Sequence, residues 1–260
     1  MRLPFFHLDV FATEAFAGNP AGVVPLDAWL DERTLQAIAV EQNLPATAFF
    51  VRQREGGRIR WFTPQVELEL CGHATMASAW VLFERLEPGR SEVRFDSRTG
   101  SLSVSRAAER LVLDFPALPA KPCEPPPGLV EALGITPRET HRAADLLVVL
   151  ESEDDVRSLR PDLAALAAID TRGVIVTAPG HEVDYVSRFF APRIGIAEDS
   201  ATGSSHCTLA PYWAARLGQG ALHDRQLSAR GGEFWCEMAD DRVRIAGHVC
   251  CYLEGTIAVP

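Results

Sequence analysis

The stretch His73-Ala74-Thr75-Met76-Ala77-Ser78-Ala79-Trp80 returns later in the chain as His206-Cys207-Thr208-Leu209-Ala210-Pro211-Tyr212-Trp213, with His, Thr, Ala and Trp at the same offsets. Upstream of the copies, Arg60-Trp61-Phe62-Thr63-Pro64 matches Arg188-Phe189-Phe190-Ala191-Pro192, and a glycine, Gly72 or Gly203, precedes each histidine. Matched segments in the same order about half a chain apart point to duplication of one structural unit. The expected outcome is two similar domains facing each other.

Each copy reads as a helix without a polar face. Residues 73–84 are apolar nearly all round, and residues 205–216 mostly so, with Gly218 placed to cap the second. Such a helix is buried, here at the centre of a wrap of strands. Alternation predicts strands over 5–11, 58–62, 94–95, 101–104 and 111–115, with turns at Gly56-Gly57 and Gly100. In the second half it predicts strands over 146–150, 174–177, 183–190, 226–229, 234–238, 242–246 and 255–259. Asp31 is the expected N-cap of a helix Glu32–Gln42 with Leu35, Ile38 and Ala39 on one face. No GxGxxG follows a strand, and helices do not alternate regularly with strands, which argues against a doubly wound parallel sheet. The fold class expected is α+β: two pseudo-symmetric halves, each an antiparallel β-barrel around a central helix.

Prolines 116, 119, 122, 125, 126 and 127 fall within twelve residues, a run that excludes helix and central strand. It lies between the copies, so the domains are read as 1–116, a linker 117–127, and 128–260, with chain ends free to cross between halves.

The net charge of -10 argues against nonspecific nucleic-acid binding, which needs a basic face. No apolar run is long enough for a spanning helix. The start has no long apolar stretch before its first acid, so no signal peptide is expected, and six scattered cysteines without CxxC spacing suit reduced thiols in the cytoplasm. No HxxxH or HExxH pattern speaks for a metal.

A glycine at the start of a buried helix lets a ligand approach the backbone, and the unpaired N–H groups of the first turn attract an anion. Two such starts brought together would hold a carboxylate and stabilise charge developing on it as a proton leaves the adjacent carbon. Proton carriers for that chemistry are Cys71, directly before the first helix, and Asp199, before the second. His73 and His206 fit either a substrate-binding or a structural role. The bland alternative is that the glycines serve only tight packing, Cys71 is a small buried hydrophobe and Asp199 a cap.

The motifs Phe16-Ala17-Gly18-Asn19-Pro20-Ala21-Gly22-Val23, Asn43-Leu44-Pro45-Ala46-Thr47-Ala48-Phe49-Phe50, Leu70-Cys71-Gly72-His73-Ala74-Thr75 and Glu198-Asp199-Ser200-Ala201-Thr202-Gly203-Ser204-Ser205-His206 resemble those of PhzF-like proteins, the phenazine-biosynthesis isomerase family. The resemblance runs in order over essentially the whole chain. It implies a diaminopimelate-epimerase-like fold with the active site between the halves, a small carboxylate-bearing substrate, no metal or organic cofactor, and often a homodimer. By resemblance Asn19, Gly72, His73, Asp199, Gly203 and Ser204 line the cleft, with Thr202 beside them. Cys71 matches the first catalytic cysteine of the related epimerases and racemases.

One position departs. The family's principal acid/base is a glutamate where this chain has Ala46, and a methyl group moves no proton. Glu41 is close in sequence but belongs to the helix. Three accounts follow: an introduced substitution, a natural isomerase working through Cys71 with Asp199 or Thr202, or an inactive member that binds a small carboxylate or a protein. A cysteine hydrolase using Cys71 and His73 is weaker, because side chains two residues apart at a strand-to-helix junction tend to diverge and no third orienting residue is evident.

Overall fold

The computed structural model describes residues 1–54 and 56–260. The chain forms two compact units, Met1–Asp114 with Ala246–Pro260, and Phe115–Ile245. The first contains β1 (Arg2–Val10), β2 (Asn19–Leu26), α1 (Glu32–Gln42), β3 (Ala46–Gln53), β4 (Gly56–Phe62) and β5 (Glu67–Leu68). It continues through α2 (Gly72–Val81), β6 (Glu92–Asp96), β7 (Ser101–Ala107) and β8 (Arg110–Pro116). The second begins with β9 (Lys121–Pro122), α3 (Leu129–Leu133), β10 (Glu139–Arg142), β11 (Leu146–Val149), α4 (Glu153–Ser158) and α5 (Leu163–Ala168). It continues with β12 (Val174–Pro179), β13 (Tyr185–Ala191), β14 (Ile196–Asp199), α6 (His206–Leu217), β15 (Ala221–Gln226), β16 (Gly232–Ala239) and β17 (Arg242–Gly247). The last strand, β18 (Val249–Ala258), pairs along the whole of β1, which ties the chain's end to its beginning.

The two units repeat one order of strand pairing. In the first, β1–β2 is antiparallel, β2–β3 parallel, β3–β4 and β4–β5 antiparallel, β4–β6 parallel and β6–β7 antiparallel. In the second, β10–β11, β11–β12, β12–β13, β13–β14, β13–β15 and β15–β16 run antiparallel, parallel, antiparallel, antiparallel, parallel and antiparallel. The sequence repeat falls on corresponding elements: 60–64 begins on β4 and 188–192 on β13, while the histidine-led segments lie in α2 and α6.

The expectation of purely antiparallel sheets is therefore wrong, and the fold is mixed. A parallel pair needs a crossover, and each unit supplies helices for it: α1 between β2 and β3, α4 and α5 between β11 and β12. Because α1 packs on one face of β2 and α2 on the other, all eight of its residues are buried. A strand buried on both faces has no period-2 signal, and Pro20 and Pro25 masked it further.

Alternation sorts the faces. Val24, Leu26, Phe49 and Phe62 pack with Leu35, Ile38 and Ala39 of α1. Asn19, Ala21, Val23, Ala46, Ala48 and Phe50 have the opposite parity and face the side covered by α2, which touches β1, β2, β3, β7 and β18. Seven of the ten α2 residues are buried hydrophobic or small polar groups, as a helix without a wet face requires. Ser78 and Thr75 satisfy their hydroxyls within it, on Ala74 O at 2.8 Å and Cys71 O at 2.6 Å.

Helix α1 has the expected bounds, with the Asp31 carboxylate accepting from Thr34 N at 3.0 Å. The second expected helix starts at His206 after a 3₁₀ turn Gly203–Ser205 and ends at left-handed Gly218. Gly56 and Gly57 are not a turn but open β4: a Cβ at Gly56 would meet Arg94 O at 2.0 Å, so glycine admits the parallel partner β6. The strand expected over 226–229 lies upstream, at β15, because Ser228 Oγ accepts from Gly231 N and turns the chain into β16. Lys121 and Pro122 of the proline-rich run form the edge strand β9 against β10.

Phe49 is fully buried, edge-on to Phe62 with centroids 5.6 Å apart. Phe49→Ala is expected to cost about 3–5 kcal/mol in urea unfolding. A loss under about 1 kcal/mol would show that this core does not hold the first unit together.

Candidate functional site

A bidentate ion pair fastens the chain just before each glycine-led helix start. In the first unit Arg60 of β4 donates from Nε and Nη2 to the Glu67 carboxylate of β5 at 2.7 and 2.8 Å. In the second, Arg188 of β13 donates to Glu198 of β14 at 2.7 and 2.9 Å. The arginines are repeat equivalents, and each glutamate lies five residues before its glycine, Gly72 or Gly203. The Arg60 guanidinium holds the Glu67 carboxyl below its ordinary range. Arg188, itself buried, also donates to Val156 O and Leu159 O at 3.1 and 2.7 Å. The paired forks leave the strand-to-helix junctions little freedom.

The second unit assembles four of the expected residues into one turn. Thr202 donates from Oγ1 to Asp199 Oδ2 at 2.6 Å. Its N–H donates to Gln226 Oε1 at 2.7 Å, and Gln226 Nε2 donates to Asp199 O at 2.6 Å. Gly203 and Ser204 follow in the 3₁₀ turn leading into α6. Asp199 is half-buried and Ser204 also retains access to solvent, whereas Thr202 and Gly203 are buried.

His206 is fully buried. Nδ1 lies 2.9 Å from Thr202 O, Nε2 lies 2.8 Å from Asp224 Oδ1, and the ring stacks on Phe234 at 4.0 Å. Both nitrogens are engaged inside the protein, which leaves none for a substrate.

In the first unit, Cys71 precedes α2 in an extended conformation, and His73 folds back so that Nδ1 lies 3.5 Å from Cys71 Sγ. The expectation that these side chains diverge is thus wrong: the change from extended to helical backbone at Gly72 turns the imidazole toward the thiol. No third group orients it, since His73 Nε2 is buried with no hydrogen-bond partner among the described residues. Burial pushes the imidazole down to about 4 from its ordinary 6.5, so it is neutral at physiological pH. Asn19 and Ala46 open the adjacent strands β2 and β3, with Ala46 opposite Ala21, and both are fully buried. Ala46 shares the α2 face with Asn19. Exposed Glu41 belongs to α1, on the other side of the sheet, and does not replace the missing carboxylate.

His206, Asp224 and Cys236 bring one ligand-type atom each within 4.8 Å. Burial holds the Cys236 thiol well above its ordinary range, and both imidazole nitrogens are already committed to Thr202 and Asp224. Gln226 and Asp224 were missed by the sequence reading. Their signal was Leu222-His223-Asp224-Arg225-Gln226, where two polar residues take the inward positions of a strand alternation.

The sequence matches the PhzC-PhzF family, described as phenazine biosynthesis-like protein, over residues 8–255. The chain belongs to this family. It is 53% identical over 99% of both chains to an uncharacterized isomerase of Pseudomonas aeruginosa. Its fold superposes on a PhzF family protein of Enterococcus faecalis with a TM-score of 0.98, at 42% identity and full coverage of both chains. A probable proline racemase of Agrobacterium radiobacter shares the fold at TM-score 0.67 and 8% identity, over 99% of this chain and 93% of that one. The PhzC-PhzF fold is thus structurally related to that of the racemases, as the sequence resemblance implied.

Two measurements check this geometry. Arg188→Leu strands the Glu198 carboxylate and two buried carbonyls, and is expected to destabilise the protein by about 3 kcal/mol in urea; a near-neutral result would show that the clamp is dispensable. For His73, the folded-state value lies below the unfolded one, so its contribution is full above pH 6.5 and is lost as pH falls from 6.5 toward about 4. Tm is therefore expected to fall over that interval, with a shallower fall in His73→Asn. Equal slopes would mean that His73 titrates near its ordinary value.

Proposed function

We propose that this protein moves a proton on a small carboxylate-bearing substrate without a metal or organic cofactor. The observation that carries the reading is the Asp199 carboxylate, hydrogen-bonded to Thr202 directly before the Gly203–Ser204 turn, in a chain half-identical to a protein named as an isomerase. The N–H groups of that turn, at the positive end of α6, suit a substrate carboxylate. Removing a proton from carbon conjugated to the carboxylate spreads negative charge onto it, where those donors stabilise it. Asp199 takes or returns the proton. Returned by Asp199 to a different carbon it gives an allylic isomer; an epimer requires a second acid to protonate the same carbon from the other face.

Cys71 with His73 is the second proton-handling candidate. A thiol 3.5 Å from a neutral imidazole can pass it a proton. These groups matter here because Ala46 stands where the resemblance calls for a glutamate. Ala46 also favours one alternative, a protein that binds a small carboxylate without turnover.

Deuterium exchange separates the two. The chain and its Ala46→Glu variant would be incubated in deuterated buffer with a panel of amino acids and cyclohexadiene carboxylates, and carbon-bound proton loss followed by NMR. Exchange on at least one compound is expected, abolished in Asp199→Asn. Exchange in the glutamate form alone would identify Ala46 as disabling, and exchange lost in Cys71→Ser would assign the thiol. Because residue 46 is fully buried, a melting curve must accompany that variant. No exchange by either form would leave only the binding reading.

A further inference from the structure

His206, Asp224 and Gln226 form a polar cluster in the interior, none of them more than 1% exposed. We propose that these three are positioning residues: they hold and polarise the peptide joining Thr202 to Gly203, and so set the strength with which the Gly203 amide binds an anion. This rests on the reading of the Gly203–Ser204 turn as the carboxylate anchor.

A carbonyl oxygen only accepts, so the His206 Nδ1 that lies 2.9 Å from Thr202 O carries a hydrogen. The other nitrogen shares a hydrogen with Asp224 Oδ1 at 2.8 Å, as imidazolium against carboxylate or as neutral ring against carboxyl. Ser205 Oγ donates to the same Thr202 carbonyl at 2.7 Å. The oxygen of this peptide thus accepts from two buried donors. On the other side of Thr202, its N–H is held by Gln226 Oε1 at 2.7 Å.

The Thr202 carbonyl and the Gly203 N–H belong to one conjugated amide. Donors on the oxygen draw electron density from the nitrogen and strengthen the N–H as a donor, more so when the donor bears charge. Stacking on Phe234 fixes the ring plane, and without the imidazole the buried Asp224 Oδ1 would lose its hydrogen bond. In the first copy the corresponding carbonyl, Cys71 O, accepts from the Thr75 hydroxyl at 2.6 Å, and His73 Nδ1 faces Cys71 Sγ instead of a carbonyl. The histidine link is therefore confined to the half that holds Asp199.

The test uses the ¹⁵N-labelled full chain with pyrrole-2-carboxylate as probe and pyrrole-2-carboxamide as uncharged control. Asp224→Asn is expected to weaken carboxylate binding about tenfold and to move the Gly203 amide proton upfield in the unliganded protein. Ser205→Ala, which removes one hydroxyl and keeps the His206–Asp224 hydrogen bond, should do both to a smaller degree. Val176→Ala, a core change in the same unit, should lower Tm and leave both readouts in place. If Asp224→Asn fails to fold, Ser205→Ala alone decides. Wild-type affinity and an unmoved Gly203 amide in the folded variants would overturn the proposal. If the wild-type chain binds no carboxylate, the anchor reading fails, and the Gly203 shift still reports whether the relay polarises the amide.

Discussion

A helix with no polar face must be covered on every side, and that requirement organises the first unit. Helix α2 buries Ala74, Met76, Ala77, Ala79 and Val81, and β1, β2, β3, β7 and β18 supply the cover. Wrapping demands strand neighbours that a simple meander does not provide, so the chain crosses over through α1 and lays β3 parallel to β2. The same pairing order recurs in the second unit, where α6 buries residues 206–210 and 213. What the wrap leaves accessible is the helix start, where backbone N–H groups have no partner within the helix.

Those starts are then held in place. The Arg60–Glu67 and Arg188–Glu198 forks join the strand before each junction to its neighbour, and the glycine follows at the same distance in both units. Duplication preserved the scaffold and let the chemistry diverge. His73 is neutral beside a thiol, whereas His206, at the equivalent position, is locked between a carboxylate and the carbonyl of Thr202. The second unit thus carries a preorganised polar turn, and the first a thiol–imidazole contact.

Much of this was legible. Helix α1 was read residue for residue, because its cap, its apolar period and the left-handed Asn43 at its end are all local. The repeat located both buried helices, and the glycines located their starts. Strand β2 was illegible for the opposite reason: burial on both faces erased the alternation. Gly56 looked like a turn residue, yet it serves a parallel neighbour that only tertiary contact brings there. Asp224 and Gln226 were visible as polar residues inside a strand pattern, but the strand had been placed a few residues late.

By itself, the sequence determined the duplication, the helices with their caps, membership of the family and the absence of a carboxylate at residue 46. These depend on covalent identity and on interactions within a few residues. Tertiary structure decided that Ala46 faces α2 while Glu41 lies across the sheet, and that Cys71 meets His73. It also decided that one repeated histidine is a neutral neighbour of a thiol and the other a buried link between Asp224 and Thr202. Those outcomes rest on burial and on hydrogen-bond partners from remote strands, and the free energy of a polar side chain depends on such surroundings more than on its own chemistry.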